Sequence, residues 1–201
     1  DDWEYLGDEP KEYQRYGIKY GEQNTAQIRD FAELLKVIQR GSDKTFEEQI
    51  GDRLDLDYLA AYLAATSVLV NIDSYIGMPH NYYLLMDKAD GKLRILPWDL
   101  NETFGTFTMG RSPEVLVKWD IDRPWISGRR LTERLFKTKS FPKRYRAAIT
   151  QLMKKHFTEE KLYHRVATFE KAITPHISKD EIGKGIDGMR MGIDGDKDGI
   201  N

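Results

Sequence analysis

At 201 residues the chain has the length of one domain, or of one and a half, and is long enough to bury a sizeable core. Its 31 Lys+Arg against 33 Asp+Glu leave a net charge of -2, which supplies no strong pull toward nucleic acid. Cysteine is absent, which excludes disulfides, thiolate nucleophiles and thiolate zinc sites while leaving the compartment open.

The chain begins on Asp1 rather than Met, and DDWEYLGDEPKEYQRYGIKYG lacks a charged-then-apolar leader layout, so it reads as processed or trimmed. This opening is aromatic and extended, with Trp3, Tyr5, Tyr13, Tyr16 and Tyr20. Asn24 or Thr25 then caps a helix with Ile28, Phe31, Leu35 and Ile38 on one face, and Gly41 ends it. A second amphipathic stretch places Phe46, Ile50 and Leu54 together, opened by Thr45 and Glu48 at capping-box spacing. Asp55 or Asp57 starts a third helix over about 56–71, apolar nearly all round and therefore the expected spine of the core. The longest apolar run, LAAYLAATSVLV, is about twelve residues, short of the roughly 20 needed to span a bilayer.

Residues 80–101, HNYYLLMDKADGKLRILPWDLN, read as two strands joined by the turn KADG. If Asp87 pairs with Lys92, Asn81 falls opposite Trp98 and beside Asp99. An irregular stretch over 102–128, rich in Gly, Pro, Thr and Trp, leads to helices over about 141–156 and 159–173, read as a helical subdomain. Residues 181–201 are rich in Gly and Asp and read as a loop or tail.

Three side chains stand out. Asp73 ends the third helix, Asn81 opens the first strand and Asp99 follows the second. The seven-residue loop between Asp73 and Asn81, carrying Gly77 and Pro79, is short enough to bring them together. Phosphoryl transfer from a nucleotide needs such a set: hard oxygens from a carboxylate and an amide for Mg²⁺, and a carboxylate to take the attacking hydroxyl's proton. Asp99 and Asn81 are then the metal ligands and Asp73 the base. The same three residue types are also ordinary turn formers that satisfy local backbone groups. Trp98 reads as a core or lid aromatic and His80 as a hydrogen-bonded structural histidine. Arg129, Arg130, Arg134, Lys137 and Lys139 read as a solvated helix face, or as a receptor for an acidic or phosphorylated substrate.

The segment NIDSYIGMPHNYYLLMDKADGKLRILPWDLNETFG resembles the signature of the CotH family, the spore coat protein H type of atypical protein kinase. The elements N-x-D-x-Y, H-N-Y-Y-L and P-W-D-x-x-x-T-F-G occur in that order. The flanks YLGDEPKEYQRYGIKYG and RLFKTKSFPKRYRAAITQLMKKHFTEEKL also resemble the family, so about 170 residues are covered.

The resemblance implies an α+β, protein-kinase-like fold, mostly the helical C-terminal lobe, with the hairpin as its catalytic edge. Residues 1–128 would be the core, 129–180 a helical subdomain of the same lobe and 181–201 the tail. It implies that Asp73 matches the catalytic-loop aspartate, Asn81 the metal-binding asparagine and Asp99 the aspartate of the metal and phosphate site. Thr103, Phe104 and Gly105 match the family too, with Gly105 supplying flexible backbone. The implied activity is Mg²⁺ (or Mn²⁺) and ATP-dependent phosphorylation of Ser or Thr on a protein substrate, at a spore coat or in an extracellular or cell-surface setting.

Two departures from the family pattern bear on that activity. Asn101 stands where the family usually has a second aspartate, and so would make a weaker, uncharged metal contact. The nucleotide-covering lobe with its phosphate-contacting lysine is expected upstream of Asp1, with Arg15 and Lys19 as the nearest cations and a solvated face as their expected place.

In the tail, Asp194, Asp196 and Asp198 before Gly199 alternate as in calcium loops, although the glutamate expected at the twelfth position is not reached. Ca²⁺ at this loop is set against a solvated acidic loop. The rival functions are a non-catalytic coat, adhesion or scaffold module, and a glycoside hydrolase using Asp73 and Asp99 as an acid and base, in which Asn81 has no task.

Overall fold

The computed structural model describes residues 3–16, 24–126 and 128–177, and over them the protein is α+β, with seven α-helices and one antiparallel hairpin. Asn24 accepts the Ala26 amide at 2.9 Å and starts α1 (Thr25–Arg40), which buries Phe31, Leu34, Leu35 and Ile38. Gly41 follows, where a Cβ would meet the Val37 oxygen at 2.7 Å. The cap of α2 (Asp43–Arg53) is Ser42 rather than Thr45: the Ser42 hydroxyl accepts the Thr45 amide at 3.1 Å, so Thr45 sits inside the first turn. Asp55 caps α3 (Leu56–Val68) by accepting the Tyr58 amide at 3.0 Å.

α3 stops sooner than its apolar run suggests. Val70 turns left-handed (φ 48°), the Val70 amide donates to the Ser67 oxygen at 3.0 Å and the Asn71 amide to the Thr66 oxygen at 2.9 Å. These are the two bonds of a Schellman ending, here with a β-branched residue where glycine is usual. Asp73 therefore lies in the loop beyond the helix rather than at its end.

The hairpin has the expected register. β1 (Tyr82–Met86) pairs with β2 (Leu93–Pro97) from Tyr82↔Pro97 to Met86↔Leu93, and the Asp87 amide donates to the Lys92 oxygen at 3.0 Å. One face turns Leu93 and Ile95 into the core with Tyr82, Leu84 and Met86 packed beside them. On the other face Arg94 bridges Asp55 at 2.9 Å, Asp87 at 2.8 Å and Asp90 at 2.7 Å, tying the hairpin turn to the cap of α3.

A short α4 (Pro113–Val117) interrupts the irregular stretch, and α5 (Arg130–Lys137), α6 (Phe141–Lys155) and α7 (Glu159–Ile173) follow. α6 lies along α3 and buries Phe141 and Tyr145, whereas α7 buries none of its residues. At the other end of the chain, Trp3 is buried edge-on to Phe31 and Tyr75, and its indole nitrogen donates to the Tyr82 hydroxyl at 3.0 Å. No described helix is long and apolar enough to cross a membrane.

The basic cluster is a solvated face only in part: two of its arginines point inward. Arg129 and Arg134 are 5% and 7% exposed. Arg134 donates to the carbonyl oxygens of Val37, Ile38, Gly41 and Ser42 at 2.8 to 3.1 Å, capping the C-terminal end of α1 where a cation also meets the negative end of the helix dipole. Arg130 adds bonds to the Ile38 and Gln39 oxygens at 3.2 and 3.1 Å. The Asp43 carboxylate near Arg134 is almost fully exposed, so the carbonyls and not the ion pair dominate. Arg130, Lys137 and Lys139 are exposed, as expected.

Candidate active site

The loop after α3 is built by short-range bonds. The Ser74 hydroxyl donates to the Asn71 oxygen at 2.6 Å, the Gly77 amide to the Ser74 oxygen at 3.1 Å and the Met78 amide to the Ile72 oxygen at 3.0 Å. Gly77 is required by closeness, since a Cβ there would lie 1.9 Å from the Ile72 oxygen. From outside, buried Arg129 donates to the Tyr75 oxygen at 2.6 Å and to the Gly77 oxygen, and the Ile126 amide donates to the Ile76 oxygen at 2.9 Å. Under the loop, burial pushes the Tyr62 hydroxyl up to about 12 and raises Tyr75 as well, so both stay protonated.

This loop brings Asp73 and Asn81 together. The Asn81 side-chain nitrogen donates to Asp73 Oδ2 at 2.8 Å and to the Asp73 carbonyl oxygen at 3.0 Å. His80 Nε2 lies 2.5 Å from Asp73 Oδ1. Both carboxylate oxygens are thus engaged, and the Asp73 side chain is 13% exposed. His80 is the hydrogen-bonded histidine expected, but its partner is the candidate base itself.

Asp99 is placed by two backbone ties. The Trp98 amide donates to the Asn81 oxygen at 3.0 Å, and after a 3-10 turn at Leu100–Glu102 the Phe104 amide donates to the Leu69 oxygen at 2.6 Å, at the end of α3. Asn81 and Asp99, facing ends of the hairpin mouth, are both left-handed (φ 56° and 50°), the conformation that Asn and Asp tolerate best among residues with a Cβ. The strands therefore part there. The Asp99 carboxylate is exposed and hydrogen-bonds to neither Asp73 nor Asn81, and among the described residues no three His, Asp or Glu are grouped to hold a metal.

Trp98 is no core aromatic: it is 56% exposed, with its ring edge-on to Tyr83 at 5.2 Å. Asn101 is exposed beside Glu102, and Gly105 is left-handed at φ 72°. Arg15 lies 3.8 Å from Glu4 near the surface. Lys19 and the candidate calcium ligands Asp194, Asp196 and Asp198 lie outside the described residues. The sequence pattern gave no sign of Arg129's grip on the loop, because its partners are main-chain oxygens more than fifty positions away. His80 could have been read from its place beside Asn81.

A family model described as CotH kinase protein matches residues 2–186. The chain belongs to the CotH family. It is 25% identical over 140 residues to inner spore coat protein H of Bacillus subtilis (strain 168), a stretch covering 69% of this chain and 36% of that protein. The CotH-family chain thus aligns with about a third of the length of that relative. The Asp73 loop, the hairpin and the segment to Gly105 all fall inside the matched region.

Proposed function

We propose that this CotH-family chain is the metal- and substrate-handling part of an atypical protein kinase with a kinase-like fold, which moves a phosphoryl group from ATP to Ser or Thr of a protein. The observation that carries the reading is the direct contact of Asn81 with Asp73 at the mouth of the hairpin from which Asp99 emerges. Asp73, fixed by Asn81 and His80, is the group to accept the substrate hydroxyl's proton. Asn81 spends its amide nitrogen on Asp73, which leaves its amide oxygen as a donor for a cation. Asp99 offers two carboxylate oxygens with no protein partner.

An amide and a carboxylate suit Mg²⁺, which keeps several waters and takes its remaining ligands from substrate phosphates. With ATP bound, the metal would supply charge neutralisation on those phosphates. A glycosidase pairing of Asp73 with Asp99 gives Asn81 no role, whereas here Asn81 orients the base. Similarity to a protein named for the inner spore coat supports a coat setting.

The second reading, a non-catalytic coat, adhesion or scaffold module, is favoured by the engagement of both Asp73 oxygens by neighbouring side chains. Labelled ATP with Mg²⁺ or Mn²⁺ decides between them, using this chain and a version extended upstream beside their Asp73→Ala and Asp99→Ala variants. Transfer lost in both variants supports the kinase. Transfer surviving both removes the site, and the absence of both transfer and Mg²⁺-dependent nucleotide binding favours the module.

A further inference from the structure

α7 is a 15-residue helix with none of its residues buried, and a helix of that length standing alone in water is marginal. Its apolar residues are not scattered. Leu162, Val166, Phe169 and Ile173 form one stripe at spacings of four, three and four, and the last three are 62%, 63% and 52% exposed. That spacing is the d-a-d-a seam of a heptad. The d positions are Leu162 and Phe169, and β-branched residues at both a positions, Val166 and Ile173, favour two parallel strands.

The charges agree with the seam. Arg165 takes position g and Glu170 position e, the two positions that face each other across a parallel pair. Two copies in register therefore form two Arg165–Glu170 pairs related by the two-fold axis. In an antiparallel pair g faces g and e faces e, so neither pair forms. The stripe is complementary to itself in one orientation.

We propose that α7 is a self-association helix, covered by the α7 of a second copy of this chain in a parallel, in-register pair. The seam is short, since the preceding a position is Glu159. Four apolar residues a side bury less than the roughly 1,200 Å² of a standard interface, so the pair is weak and exchanging. This assignment does not depend on the phosphotransfer reading.

Sedimentation equilibrium of the chain from about 10 to about 300 µM is the test, with a monomer–dimer transition expected inside that range. Phe169→Glu is expected to abolish the dimer with the melting temperature unchanged, since α7 lies outside the core. Arg165→Glu should weaken it about threefold, and Arg165→Glu combined with Glu170→Arg should restore it. Because the chain has no cysteine, Ile173→Cys reports orientation: an a position meets its own copy only in a parallel pair, and oxidation should cross-link it. A monomer at every concentration, a dimer that survives Phe169→Glu, or a dimer that Ile173→Cys fails to cross-link would each overturn the assignment.

Discussion

Arg129 donates to the carbonyl oxygens of both Tyr75 and Gly77, so the residue just before α5 holds the loop that presents Asp73. With Arg129 only 5% exposed, its removal leaves two inward carbonyls without a donor. Each such loss costs about 1 to 3 kcal/mol. Arg129→Met is therefore expected to lower stability by roughly 3 kcal/mol in thermal or urea melts. Arg129→Lys should recover only part of this, because a single ammonium does not reproduce the guanidinium fork.

Asn81 joins the loop to the hairpin with two hydrogen bonds, and its amide nitrogen is the only part that Asp73 uses. Asn81→Leu keeps the size, removes both bonds and sets a leucine in the left-handed conformation, with an expected stability loss of about 2 to 4 kcal/mol. ATP-dependent transfer should fall by on the order of 100-fold or more, because the base loses its orientation and the cation loses an amide oxygen. Asn81→Asp sets a second carboxylate against Asp73, so its stability deficit relative to wild type should be largest at pH 7 and shrink as pH falls and the like-charge repulsion is relieved. Melts at pH 7 and pH 4 check the sign.

Much of this was legible from local sequence. The KADG turn between alternating strands fixed the register that puts Asn81 opposite Trp98, and Asn24 and Asp55 marked helix starts by their side-chain oxygens, as Gly41 marked a helix end by lacking a Cβ. The end of α3 was not legible, because Val70 occupies the left-handed position where glycine would have announced the stop. Nor were the roles of Arg129 and Arg134. A run of basic residues looks solvated from its composition, and only the tertiary fold shows the guanidinium donors directed at the oxygens of α1 and of the Asp73 loop. The contact of Asp73 with Asn81 followed from loop length and register, whereas the direction of the Asp99 carboxylate depends on a turn no pattern specifies.

Arg94 gives the fold an acid limit. It holds the Asp90 carboxyl below its ordinary value of 3.8, and Asp55 is held down first by the Tyr58 amide and then by Arg94. Depressed carboxyls stabilise the fold fully above the unfolded value, and that contribution is lost as pH falls through the folded one. Wild type should therefore melt higher than Arg94→Gln at pH 7. The gap should close below about pH 4, as the carboxylates that Arg94 holds become protonated. Asp55 keeps its Tyr58 bond in the variant, so Arg94→Gln should retain some acid sensitivity, to which Asp8, held down by Tyr5 and Lys36, and Glu114, held down by Ser112, also contribute. A gap constant from pH 7 to pH 2.5 would show that Arg94 acts through packing alone.

Gly77 offers the sharpest test of the loop, because its obstacle is backbone. A Cβ at this position would lie 1.9 Å from the Ile72 oxygen and 2.8 Å from the carbon that bears it. No side-chain rotation relieves that overlap, and the Ile72 oxygen also accepts the Met78 amide at 3.0 Å, so any shift breaks the turn that follows Asp73. Gly77→Ala is expected to cost about 3 kcal/mol or more, at the upper end of overpacking changes. Gly51→Ala is the control, since its nearest neighbour, Leu56 Cδ1 at 3.5 Å, is an ordinary contact and a helix interior favours alanine. Melting temperatures that fall for Gly77→Ala and hold or rise for Gly51→Ala would support the tight turn. Equal, small changes would mean that the Asp73 loop has room to spare.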